Sequence, residues 1–249
     1  PVTIRETVHV YGRVMAMPEK VSVVSARFEG VVQSVYASIG SVVERGQVLA
    51  EIESNESLLP YSVTAPIRGV ITNRVANAGE QTAGRPLFTI TDTSALWAEL
   101  AVFPSDRRRV QVGAMVVVSA ADGAGTNREG KVAWLNPNAE SNQSVLARVV
   151  LDNSDGAFLP GSYVTGEIQV AEHAVPLAVR RSGVQAFRQF DVVFEKIGDT
   201  YEVRMLDLGR KDVQWVEVLG GLEAGARYVS ANSYLVKADI EKTGASHDH

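Results

Sequence analysis

The chain has 249 residues, 45% hydrophobic and 21% charged, with a formal net charge of −5 and no cysteine. That length suffices for about one to three domains with buried cores. An acidic balance without a basic stripe of interleaved aromatics excludes nucleic acid as a natural partner, and Arg107-Arg108-Arg109 reads as a solvated face. No apolar run approaches the roughly 18 residues of a membrane-spanning helix. The chain opens on Pro1, so a signal peptide or membrane anchor is expected upstream.

Val8 to Val14 alternates and predicts a strand. A repeat follows. Val24-Ser25-Ala26-Arg27-Phe28-Glu29-Gly30 leads on to Gly40, Gly46, Leu49 and Ile52; Val63-Thr64-Ala65-Pro66-Ile67-Arg68-Gly69 leads on to Gly79, Gly84, Leu87 and Ile90. Gly30 to Gly40 spans ten residues, as does Gly69 to Gly79, and Gly46 and Gly84 each stand three before a leucine and six before an isoleucine. Positive φ is expected at Gly40 and Gly79, where strands end. Neither copy can bury its apolar face alone, so residues 21–93 should form a flattened sandwich of two superposable halves, about four short strands each.

From Leu96-Trp97-Ala98-Glu99-Leu100-Ala101-Val102 the texture changes. That strand is followed by one short helix from Pro104 to Val110 and by strands near 114–120, 129–135, 144–151 and 162–170, which suggests a small barrel. After Val175-Pro176, strands are expected near 190–197, 200–209, 213–219 and 226–231, with Gly198-Asp199 as a hairpin turn. A polar tail from Lys242 is expected to be disordered. Gly125-Thr126-Asn127-Arg128-Glu129-Gly130-Lys131-Val132 nearly spells a phosphate loop, but Val132 replaces the hydroxyl residue and no helix follows. No hydrolytic motif is present, and no residue pattern calls for a cofactor.

The paired "G-x-x-L-x-x-I" units resemble biotinyl/lipoyl half-motifs. The joint between them, Glu53 to Tyr61, has no lysine, and none occurs between Lys20 and Lys131, so a swinging-arm carrier is excluded. The whole chain resembles the periplasmic adaptor (membrane fusion) family of tripartite efflux pumps. The likeness rests on the two half-motifs, on Leu96-Trp97-Ala98-Glu99 followed by Arg109-Val110-Gln111-Val112-Gly113, and on Leu159-Pro160-Gly161-Ser162-Tyr163-Val164. It extends to Val175-Pro176-Leu177-Ala178-Val179 and Gly221-Leu222-Glu223-Ala224-Gly225. Within that family, Glu53-Ser54-Asn55-Glu56-Ser57-Leu58, Tyr61-Ser62-Val63-Thr64-Ala65-Pro66-Ile67 and the His-ended tail resemble the heavy-metal (cobalt–zinc–cadmium) branch. Relatives commonly carry a long helical hairpin between the lipoyl halves. The eight-residue step from Glu53 to Tyr61 is too short for one.

The resemblance implies a mostly β chain of three consecutive small domains. They are a lipoyl-like domain at 21–93, a six-stranded-type barrel at 8–20 plus 94–172 with one short helix, and a membrane-proximal domain at 1–7 plus 173–243, followed by a tail at 244–249. It implies a non-enzymatic periplasmic adaptor at the inner membrane. Such an adaptor would join an RND pump to an outer-membrane channel for divalent metal export and form a ring of copies when assembled. Adaptor function for drugs or an ATP-driven transporter, or a non-transport ligand-binding module, are the alternatives. A ligand-binding module would want an aromatic groove, and Trp97, Trp134 and Trp215 are scattered in sequence. His247, Asp248 and His249 have the chemistry to capture Zn²⁺ or a similar cargo ion. His9, His173 and the Met15/Met17 pair are the alternatives, the methionines expected on one face of a strand. Asn55, Glu56 and Leu58 at the lipoyl tip are the expected contact with the outer-membrane partner.

Overall fold

The computed structural model describes residues 1–121 and 125–245, and the chain divides into two compact units, His9–Ile168 and Pro1–Val8 with the segment from Gln169 onward. The first strand, β1 (Val2–Ala16), is followed by the repeat. It holds β2 (Val21–Ser25), β3 (Gly30–Val35), β4 (Val42–Val43), β5 (Val48–Ser54), β6 (Pro60–Thr64), β7 (Gly69–Arg74) and β8 (Pro86–Thr91). One sheet has the order β2-β8-β7-β4 and the other β3-β5-β6, so each mixes strands of both copies. The first copy contributes four named strands and the second three. The place of the eighth is taken by an isolated bridge between Val31 and Gln81, because that segment pairs at a single residue.

The two copies repeat each other's hydrogen bonds. Gly40 N–H donates to Ile71 O at 2.9 Å and Gly79 N–H to Val32 O at 2.8 Å; Val32 N–H donates to Glu80 O at 2.9 Å and Ile71 N–H to Ser41 O at 3.0 Å. The bulge between Val32 and Ser34 recurs between Ile71 and Asn73. Gly40 and Gly79 have φ of 86° and 87°, the left-handed turn the spacing requires. Inside lies one core that includes Val32, Leu49, Ile52, Ile71, Leu87, Phe88 and Ile90 from both copies. Neither copy holds that core alone.

The barrel is closed in the order β1-β13-β10-β11-β12-β9 by β9 (Ala95–Val102), β10 (Met115–Ala120), β11 (Asn127–Leu135), β12 (Val145–Asp152) and β13 (Tyr163–Val175). The N-terminal strand is one of its staves, with Tyr11 opposite Ala101 and Met15 opposite Trp97. β9 alternates strictly, burying Leu96, Ala98, Leu100 and Val102, and the other staves bury Val14, Val116, Val149 and Ile168. The expected helix is shorter than predicted: α1 is Pro104–Arg107, after which Arg109 and Val110 N–H both donate to Asp106 O in a closing turn.

In the other unit, β14 (Ala178–Arg180), β15 (Gln185–Phe187), β16 (Phe190–Ile197), β17 (Thr200–Met205), β18 (Asp207–Lys211) and β19 (Trp215–Gly220) form two sheets, β14-β19-β18 and β15-β16-β17. β16 is covered on both faces, sending Val193 into one apolar cluster and Val192 and Phe194 into another. The single strand expected at 200–209 is two, β17 and β18, because the chain changes sheets at Leu206. The strand expected at 226–231 reduces to a bridge from Glu195 to Tyr228. The tail expectation is corrected as well. A helix, α2 (Ser233–Ala245), continues through the start of the polar stretch, seating Val236 and Ile240, four apart, on the Phe187–Phe194 cluster. Asp212 ties β1 to this unit, accepting from Gln214, Trp215 and Arg5 N–H at 2.8, 2.7 and 3.2 Å.

At the foot of the sandwich, Lys20 Nζ donates to Asp92 Oδ2 at 2.6 Å. Burial opposes ionisation of Asp92, but hydrogen bonds from Lys20 and Ser94 and the Lys20 charge outweigh it, so this carboxyl titrates below its ordinary 3.8. A depressed folded value stabilises the protein above the unfolded carboxyl's pKa, and that contribution disappears as pH falls through the folded one. Lys20→Met should therefore be less stable than the parent at neutral pH, with the difference vanishing in strong acid. Urea unfolding at a series of pH values checks this, and a difference that persists in acid rules it out.

Candidate functional site

The lipoyl tip is a tight loop folded around one serine. Ser54 is buried, and its Oγ accepts from Glu56 and Ser57 N–H at 3.2 and 3.3 Å. Ser54 O accepts from Leu58 N–H at 2.9 Å, and Asn55 N–H donates to Glu29 O at 2.9 Å. Asn55 Nδ2 reaches Gln81 Oε1 at 3.1 Å, binding the loop to the second copy of the repeat. Leu58 is held at φ 52°, a left-handed conformation a leucine adopts only under constraint. It is 69% exposed and its neighbour Leu59 66%.

Beside this loop an open depression of about 420 Å³ is lined by Arg27, Phe28, Glu29, Ser54, Asn55 and Glu56. Phe28, half exposed, meets Tyr61 edge-to-face at 5.7 Å, and the Tyr61 hydroxyl donates to Phe28 O. Arg27 lies over the Phe28 ring at 5.4 Å. The structure thus brings Asn55, Glu56 and Leu58 to one end of the sandwich, and adds Phe28 and Leu59 to them. The Leu58-Leu59 doublet in an otherwise polar loop was the available signal for the second.

The metal candidates are not gathered. His9 Nδ1 lies 2.6 Å from Glu167 Oε1, and its ring meets Tyr11 edge-on at 4.9 Å. His173 Nε2 faces Glu6 Oε2 at 3.5 Å in the other unit. Met15 and Met17 do not share a face: Met15 is exposed on the barrel wall, whereas β1 ends at Ala16 and Met17, preceding the turn Pro18–Lys20, is buried. Among the described residues no three His, Cys, Asp or Glu side chains converge to hold a metal. His247, Asp248 and His249 lie outside the described residues.

Two of the dispersed tryptophans share one cation. Arg148 stands between Trp97 and Trp134, 4.5 and 4.7 Å from their ring centres, and its Nε donates to Glu99 Oε1 at 2.7 Å. The slot between the rings is filled by the protein's own cation. The third, Trp215, stacks on Arg180 at 4.4 Å. Among the described residues no helix is long and apolar enough to cross a membrane.

Three family models match in chain order: the CusB barrel-sandwich hybrid domain over residues 21–91, the CusB-like beta-barrel domain over 95–172, and the CzcB C-terminal circularly permuted SH3-like domain over 177–237. The cation efflux system protein CzcB of Alcaligenes sp. (strain CT14) is 30% identical over 219 residues, 87% of this chain and 42% of that protein. The cobalt-zinc-cadmium resistance protein CzcB of Cupriavidus metallidurans matches to the same extent. This chain spans less than half the length of these relatives. Among solved structures, ZneB from Cupriavidus metallidurans aligns with a TM-score of 0.57 at 19% identity, over 94% of this chain and 91% of its own. MacA from Actinobacillus actinomycetemcomitans aligns with 0.60 at 16%, over 92% and 97%. Those two likenesses concern the fold alone. With a duplicated sandwich, a closed six-stranded barrel and a C-terminal β domain each matching its model in order, and no helical hairpin between β5 and β6, the chain belongs to the CusB/CzcB-type membrane fusion proteins.

Proposed function

We propose that this chain is a non-enzymatic periplasmic adaptor of heavy-metal efflux, associated with the inner membrane, that joins an RND pump to an outer-membrane channel for export of divalent cations. The observation that carries the reading is the 30% identity over 219 residues to two proteins named for cation efflux and cobalt-zinc-cadmium resistance. The proposed domains are 21–93, 8–20 with 94–172, and 1–7 with 173–243. The lipoyl tip, with Leu58 and Leu59 presented on a loop fixed by Ser54 and Asn55, is the proposed contact with the channel. His247, Asp248 and His249 are proposed to capture cargo ions weakly, two imidazoles and a carboxylate being suitable ligands for Zn²⁺ or Co²⁺.

Loss of the encoding gene should sensitise the host to cobalt, zinc or cadmium salts, and expression of the gene should restore tolerance. Unchanged metal tolerance with increased drug sensitivity would replace this reading with a drug-efflux adaptor. In the purified chain, deletion of residues 246–249 should remove most of the Zn²⁺ heat seen by calorimetry. That heat should weaken as pH falls below the ordinary histidine pKa of about 6.5, where protonated imidazole no longer binds metal. Undiminished heat after the deletion would move the capture site to His9, His173 or a methionine.

A further inference from the structure

The hairpin of β18 and β19 ends in a tip whose side chain the fold does not call for. Asp212 sets the turn: its N–H donates to Trp215 O at 2.9 Å, and its Oδ1 accepts from Gln214 and Trp215 N–H at 2.8 and 2.7 Å. Its Oδ2 accepts from Arg5 N–H at 3.2 Å. With the backbone fixed by that carboxylate, the tip can carry the small polar residues that turns ordinarily hold. Val213 stands there instead. At 80% it is the most exposed large hydrophobic side chain among the described residues.

Cations surround it. Lys211 immediately precedes the turn. Arg180 pairs with Trp215 in register, its guanidinium 4.4 Å from the ring centre, and Arg181 N–H donates to Gln214 O at 2.9 Å. All three are exposed, and among the described residues none of the three makes an ion pair. Two further cations are matched, Arg210 with Glu217 and Arg5 with Glu172, both at 3.3 Å. The carboxylates at this end are engaged within the protein. Glu217 is buried, and Asp212 answers three backbone amides. In a chain of net charge −5, this end presents unmatched positive charge around an apolar point.

We propose that the Asp212–Trp215 tip docks on a bilayer surface containing anionic phospholipid, with Val213 entering the headgroup layer and Arg180, Arg181 and Lys211 meeting lipid phosphates. It rests on the inner-membrane association proposed above and names the surface that makes it. Charge complementarity selects an anionic occupant. A free anion would need the cations alone. The apolar tip and the half-buried Trp215, a side chain suited to the boundary between apolar and wet layers, select a bilayer. Arginine and lysine stems lie along such a layer while their heads stay in water. Each cation near an anionic surface is worth about fivefold in partition, and a single valine adds less than a lipid chain, so the contact is weak and salt-sensitive.

The chain has no cysteine, so Val213→Cys carries a single environment-sensitive dye. On vesicles of phosphatidylglycerol and phosphatidylcholine in equal parts, its emission should shift to the blue. The same dye at Asp199→Cys, on an exposed turn behind the facing pair Glu195 and Glu202, should not respond. Vesicles of phosphatidylcholine alone, or inorganic phosphate, should leave both unchanged. In co-sedimentation of the unlabelled chain, Arg181→Gln and Lys211→Gln should each lower the partition coefficient about fivefold. Both side chains are exposed, and an unchanged unfolding midpoint verifies that the fold is kept. Equal shifts at the two turns, a shift with phosphate alone, or sedimentation indifferent to both substitutions would overturn the proposal. So would binding to polyglutamate without any response to vesicles, which would make the tip a protein contact. A chain that fractionates with the inner membrane in cells yet ignores phosphatidylglycerol in vitro would keep that association and lose this surface.

Discussion

Alanine at Gly30 should destabilise the sandwich by about 3 kcal/mol, and alanine at Gly69 by about 2 kcal/mol. A methyl group on Gly30 would sit 2.0 Å from the carbonyl oxygen of Glu53, and on Gly69 2.6 Å from that of Thr91. These are equivalent positions, each at the start of a strand where the backbone of the paired strand crosses close by. The obstacle is backbone in both cases and cannot swing aside as a side chain would. Only separation of β3 from β5, or of β7 from β8, relieves the clash, and either opens the shared core over Ile52 or Ile90. Gly40 is the control. Its φ of 86° disfavours alanine by about 1 kcal/mol, but a methyl group there meets nothing within 4 Å. The expected order of loss is Gly30→Ala, then Gly69→Ala, then Gly40→Ala, read as falling urea midpoints at constant slope. A Gly30→Ala midpoint no lower than that of Gly40→Ala would mean that the two strands do not approach this closely.

The same glycines show why the sandwich is legible in the sequence. A repeat fixes two halves at once, and turn glycines are forced by backbone geometry rather than by distant partners. The barrel staves were readable for a related reason, since a period of two survives wherever one face is buried, as from Leu96 to Val102. Elements that depend on a change of partner were not readable. The run 200–209 is continuously β-forming, and nothing local marks Leu206 as the residue where the chain leaves one sheet for another. Helix α2 has only Val236 and Ile240 as an apolar stripe, too few to stand out from a polar tail. Met15 and Met17 looked paired because the end of β1 at Ala16 is set by the turn that follows. At the tip, Asn55, Glu56 and Leu58 were identifiable from position alone, whereas Phe28 joins them through Tyr61, 33 residues on.

Removing the guanidinium of Arg148 should cost the barrel about 2–3 kcal/mol, although the residue lies on the outer wall. Arg148→Ala deletes two cation–π contacts, each worth about 0.5–2 kcal/mol, and leaves Glu99 without its partner at a cost of about 1–3 kcal/mol. Glu99 is only 19% exposed, so water compensates it in part. The pair is stacked in register across four strands: Arg13 stands opposite Glu99, Glu99 opposite Arg148, and Arg148 opposite Trp134. Arg148→Lys should recover less than half of the loss, because a tetrahedral ammonium cannot lie flat between Trp97 and Trp134 while donating sideways to Glu99. A cycle with Glu99→Gln separates the two contributions. If the carboxylate matters chiefly as a stranded charge, the double variant should be more stable than the sum of the single losses predicts, by about 1 kcal/mol. Strict additivity would assign the whole effect to ring stacking, and a loss below about 0.5 kcal/mol for Arg148→Ala would show the cluster to be an ordinary solvated surface.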